Sequence, residues 1–134
     1  MDLALRRAYD IAYMNAYTPS CYIRTVKPED MSKRRDYSNL SNPYDYLAQL
    51  NAMINHDIYK SASIDFENIS NLIESDVLIV VSLQDHLVNP NSSIELAKQI
   101  GSKIVELTED CGHIAVWCEA KKIKEATSVF LKLE

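Results

Sequence analysis

Two residues in this sequence stand where acid–base chemistry could be done. Asp85 follows an apolar run, Val77 to Val81, and His113 follows Gly112 after a second short strand-like stretch, Lys103 to Leu107. A carboxylate beside an imidazole holds the ring in one tautomer and stabilises its protonated form. That is what a general base needs when it takes a proton from a hydroxyl nucleophile. The usual third member is a serine on a glycine-flanked elbow. The chain has two glycines, Gly101 and Gly112, and their positions cannot spell G-x-S-x-G. The same scarcity excludes a P-loop and a dinucleotide-binding fingerprint.

The elements around these residues put them on one edge. The β-branched run Val77 to Val81 predicts a strand buried on both faces, as in a parallel sheet. Ser92 and Glu95 have the capping-box spacing, and Ile94, Ala97 and Lys98 continue a helix that Gly101 can close. Lys103 to Leu107 is a second strand, parallel to the first through a right-handed crossover. In an open sheet of this kind, functional residues sit just beyond the carboxyl ends of the strands. The loops Leu83 to Pro90 and Glu109 to His113 leave those ends, so Asp85 and His113 should emerge together.

Upstream, residues 2–17 read as a helix with Leu5, Ala8, Ala12 and Ala16 on one face, ended by Thr18 and Pro19. Residues 19–41 lack a clean period and predict a loop-rich excursion with one short helix. Asn42 followed by Pro43 is a helix start, and Leu47, Leu50 and Ile54 line one face of a helix running to about Asn55. Phe66 to Ile73 predicts another short helix. A last helix begins near Glu119, with Ile123, Ala126, Phe130 and Leu133 on one side. Together these give an α/β chain of one domain, with a helical region over 1–75 and a β-α-β-α part over 76–134.

At 134 residues, with 47% hydrophobic and 25% charged residues, the chain is long enough to bury a modest core and is globular in composition. A net charge of −5 argues against nucleic acid and anionic membrane as partners. Lys33, Arg34 and Arg35 form one basic cluster, read as a solvated loop. The opening residues, Met1 to Arg6, have no basic segment followed by an apolar run, and no stretch approaches a membrane span. Three cysteines, Cys21, Cys111 and Cys118, predict reduced thiols in a cytoplasmic protein. Cys118 is expected to be a buried thiol beside Trp117, and Cys21 to lie in the irregular stretch, open to exposure. Cys111, His113, His86 and Asp85 have metal-ligating chemistry, but no two cysteines have structural-zinc spacing, so no metal is expected. Cys111 is one residue from His113, too close to serve it as nucleophile. His56 is expected to cap a helix end, and Tyr9, Tyr13 and Tyr17 to form a packing stripe.

The stretch Val77 to Glu119 resembles the last two strands of an α/β-hydrolase, a superfamily whose triad runs serine, acid, histidine along the chain. Asp85-His86-Leu87-Val88-Asn89-Pro90 is similar to the acid loop of homoserine O-acetyltransferases, and Gly112-His113 to their histidine motif. Tyr44-Asp45-Tyr46-Leu47 onward resembles a helix of their lid, and residues 3–17 the helix that opens it. The resemblance implies a helical lid followed by the C-terminal part of the hydrolase core. Asp85 would orient, and His113 would act as base. The serine would lie upstream of Met1, in an N-terminal half on the same or a separate chain. Acetyl-CoA or another acyl donor would be co-substrate, a small molecule the acceptor, and no cofactor would be bound. That family usually carries an aspartate after the histidine, facing the amino-acid substrate. Here Ile114 occupies the place, which puts homoserine itself in doubt. A related ester hydrolase remains an alternative. So does a non-catalytic, hydrolase-like interaction protein whose strand edges are covered by homodimerisation.

Overall fold

In a computed structural model, the described residues are 3–29, 42–57, 60, 63 and 65–132. The basic cluster at 33–35 and Leu133 lie outside them. Helix α1 spans Leu3–Asn15. Thr18 and Pro19 do not simply end it. Thr18 Oγ1 accepts from the Cys21 backbone N–H and Pro19 takes the first turn, so the pair opens a second helix, α2, Pro19–Thr25. Helix α3, Pro43–Asn55, begins as its sequence predicts, with Asn42 Oδ1 accepting from the Tyr44 N–H. Its C-cap is His56, whose backbone N–H reaches Met53 O. No residue of α3 is buried, and Leu47 and Ile54 are exposed.

A 3-10 helix at Phe66–Leu72 leads into strand β1, Leu78–Ser82. Helix α4, Asn91–Ile100, follows, then strand β2, Lys103–Leu107. The expected capping box is replaced. The helix starts one residue before Ser92, and Asn89 Oδ1 takes the Asn91 N–H instead. Gly101 closes α4 in the left-handed conformation, φ 64°. A one-turn helix α5, Ala115–Cys118, and the last helix α6, Ala120–Phe130, complete the chain. It is therefore mixed α/β, with β1 and β2 paired in parallel from Leu78 opposite Lys103 to Ser82 opposite Leu107.

The strands are not buried on both faces along their length. Val81, Ser82 and Leu107 are buried, whereas Val80 and Ile104 are more than a third exposed. Helices α4 and α6 pack on β1, and α4 also meets β2. The main core gathers at the carboxyl ends of the strands, where Leu107, Cys111, Ala115 and Cys21 are almost wholly buried. Tyr17, Val105, Ile114 and Ile123 pack around them.

The cysteines depart from expectation. Cys111 and Cys118 are joined as a disulfide because the turn and α5 fold back on themselves, bringing their Cα atoms to 6.6 Å. Cys118 is an exposed half-cystine and not a buried thiol. Cys21 is a free thiol and fully buried, because α2 is laid against the core by its cap at Thr18.

Gly112 has φ 68°, and a Cβ there would stand 3.0 Å from Ala16 O and Thr18 N. Gly101 has a similar φ but open space around it. Gly112→Ala is expected to cost about 2–4 kcal/mol, from backbone strain plus displacement of the α1–α2 corner. Gly101→Ala should cost only about 1 kcal/mol. Urea unfolding of the two variants checks the difference, and equal costs would contradict the packing described for Gly112.

Candidate functional site

The in-register pairing of β1 and β2 ends both strands at the same level. The turn after β1 is held when the Leu83 N–H donates to Leu107 O at 3.0 Å, linking the two strand ends. Asp85 then forms an Asx turn: its Oδ1 accepts from the backbone N–H groups of Leu87 and Val88, both at 2.8 Å. This fixes the carboxylate and leaves Oδ2 aimed at the neighbouring loop. There, Oδ2 lies 2.8 Å from His113 Nδ1.

The Asp85 side chain is only 11% exposed, and that of His113 is 42% exposed. Burial acts to raise the Asp85 pKa. The bonds from Val88, His113 and Leu87, with the imidazole's charge, outweigh it and hold the carboxyl below its ordinary value. An ionised carboxylate only accepts, so Nδ1 carries the proton. In the neutral ring, Nε2 then presents a lone pair, and it has no hydrogen-bond partner among the described residues. A cavity of about 150 Å³ lies against the pair, lined by Val81, Ser82, Val88 and Val116 beside Asp85 and His113.

His113 is positioned by a loop tied from several sides. Ser82 Oγ donates to Gly112 O at 2.8 Å, and the Ile114 N–H donates to Ala16 O at 3.3 Å. Thr18 Oγ1 donates to Asp110 O. Ser20 Oγ and both Arg24 terminal nitrogens reach the Asp110 carboxylate at 2.7–3.1 Å. From the other side, Glu119 Oε1 accepts the Glu109 N–H at 2.9 Å, and Lys122 pairs with Glu119 at 3.2 Å. Sequence reading missed Thr18, Ser20, Arg24, Asp110 and Glu119. Their partners lie about 90 residues away or are backbone groups, so no local spacing announces them.

The other predicted residues separate. Ile114 packs on the core cluster under the loop and does not line the cavity. His86 turns away from the pair into a second cleft of about 440 Å³, which it shares with Ile11, Met14, Tyr17, Tyr22 and Ile23. The tyrosine stripe divides. Tyr13 and Tyr17 share a 2.9 Å hydroxyl hydrogen bond and stack edge-on with Tyr22, whereas Tyr9 meets Tyr46 of α3. Cys111 is committed to the disulfide and holds no reactive thiol. No group of three or more metal-ligating side chains occurs among the described residues, and none of their helices is long and apolar enough to cross a membrane. No protein-family model, curated protein or solved structure matches the chain.

Arg24 and Ser20 hold the Asp110 carboxyl at about 2. Because this pKa is lowered on folding, its stabilisation is present above the ordinary aspartate value of roughly 3.9 and is lost as pH falls through about 2. Asp110→Asn should therefore reduce the fall in thermal midpoint between roughly pH 4 and pH 2. Identical pH profiles for the two proteins would show that the carboxylate does not tie α2 to the histidine loop.

Proposed function

We propose that Asp85 and His113 are the acid and base of a serine-dependent acyl-transfer centre, in an α/β-hydrolase-type arrangement whose nucleophile comes from polypeptide outside these 134 residues. The observation that carries this reading is the 2.8 Å contact between a largely buried carboxylate and His113 Nδ1, with Nε2 left open beside a cavity. The carboxylate holds the tautomer. Nε2 would take the proton from the attacking serine hydroxyl and deliver it to the leaving group, while the carboxylate stabilises the imidazolium formed between these steps.

Two further observations support the arrangement. Both residues follow parallel strands at one sheet edge, in the acid-then-histidine order of α/β-hydrolases. Among the described residues β1 and β2 pair only with each other, so their outer edges leave room for further strands, and the faces at Val80 and Ile104 for a covering layer. The reading places α1, α2 and α3 as a lid over the site. Acetyl-CoA or another activated ester serves as donor, and a small alcohol or water as acceptor. Ile114 is an aliphatic residue turned into the core, and so offers no carboxylate to an ammonium group. This favours an acceptor other than homoserine, and it keeps the ester-hydrolase alternative open.

The test uses the assembled enzyme, purified from cells that express this segment. Asp85→Asn and His113→Ala should each lower kcat for acyl transfer by on the order of 10³–10⁴, with KM changed far less. Loss of less than tenfold in both variants would remove the pair from the mechanism.

A further inference from the structure

The two strands leave two outer edges, and their register fixes which backbone groups lie on each. In a parallel ladder, a residue that turns its N–H and C=O to the neighbouring strand bonds the two residues that flank its partner. Leu107 is such a residue: it stands opposite Ser82, and its carbonyl takes the Leu83 N–H. By alternation, Lys103 and Val105 also face β1, and Ile79 and Val81 face β2. The N–H and C=O of Leu78 and Val80 therefore point off the free edge of β1. Those of Ile104 and Glu106 point off the free edge of β2.

The β2 edge is closed. Lys122 of α6 donates from Nζ to Glu106 O at 2.6 Å. It is held there by Glu119 Oε2, 3.2 Å away, while Glu119 Oε1 takes the Glu109 N–H. Lys103 and Glu106 add exposed charges, and charged side chains, lysine above all, keep a further strand from an edge. The β1 edge has no such guard. Its sequence, Leu-Ile-Val-Val-Ser, carries no charge, and Val80 is 37% exposed. Among the described residues, no hydrogen bond reaches the outward groups of Leu78 or Val80.

We propose that the free edge of β1 is the docking edge for an extended strand of the serine-bearing polypeptide, and that β2 is the margin of the sheet so formed. An extended chain offers N–H and C=O groups at the spacing that Leu78 and Val80 present. Val80 also lines the cavity beside Asp85 and His113. A strand laid along β1 walls that cavity, and one of its ends lies level with Ser82, next to the turn that carries Asp85. The loop leaving that end comes to the side of the pair where His113 Nε2 is open. The base needs a hydroxyl and the edge needs a strand, and one polypeptide supplies both. The owner of the strand is named from the acyl-transfer reading, on which that part of the proposal rests. The open and closed edges follow from hydrogen bonds alone.

The experiment is amide hydrogen exchange, resolved to single residues, on the native species that contains this segment, purified from the cells that express it. Val80 and Ile104 each have an outward N–H, one on either edge. The Val80 N–H should exchange on the order of 10²-fold more slowly than that of Ile104, as a strand-paired amide does against an unpaired one. Val80→Pro and Ile104→Pro each remove one outward donor. The first should raise exchange in a strand outside residues 1–134, and the second should leave that strand protected. A Val80 N–H that exchanges as fast as that of Ile104 overturns the proposal. So does a Val80 N–H protected in a species that holds only copies of this chain, because the partner is then a second copy. The wild-type comparison decides the matter even where a proline variant folds poorly. If another polypeptide protects Val80 while Asp85→Asn leaves kcat unchanged, the acyl-transfer reading falls and the docking edge stands.

Discussion

Parallel, in-register pairing of Leu78–Ser82 with Lys103–Leu107 is the constraint on which everything else rests. Parallel strands need a crossover, and helix α4 supplies it between Asn91 and Ile100. Because the register is even, both strands leave the sheet at one level. An Asx turn three residues past one strand and a glycine turn five residues past the other then bring Asp85 and His113 to 2.8 Å. A one-residue slip in register would move one strand's side chains to the opposite face and part the pair.

The second constraint is the close approach at Gly112. Its positive φ and missing Cβ let the α1–α2 corner sit on the histidine loop, within 3.0–3.1 Å of where a side chain would start. Around this contact, polar ties from Thr18, Ser20 and Arg24 converge on Asp110. The N-terminal helices are thus fastened to the loop that positions the imidazole. A glycine before this histidine follows from packing and needs no catalytic explanation.

Much of the fold could be read locally. The apolar runs, the Asn42–Pro43 start and the Gly101 stop each act within a few residues, and each element lies within a few residues of its expected bounds. The pairing of Asp85 with His113 was legible because strand ends bring together residues far apart in sequence. Three features were not legible. The disulfide depends on α5 folding back, which the seven-residue spacing of its cysteines does not specify. The burial of Cys21 depends on Thr18 capping a helix that Pro19 and the lack of a clean period obscured. The exposure of Val80 on one face and Ile104 on the other departs from what a β-branched run implies, because such a run does not specify which other elements cover the strand.

The proposed centre is half a catalytic set: an oriented base with no hydroxyl placed on its open nitrogen by the described residues. The most direct measurement is fluorophosphonate labelling of the native species that contains this segment, isolated from its own cells and mapped by peptide mass, for wild type and His113→Ala. The account predicts one adduct, on a serine outside residues 1–134, formed much more slowly in the variant. An adduct on a serine within this chain, an adduct rate unchanged by His113→Ala, or no adduct at all would contradict it.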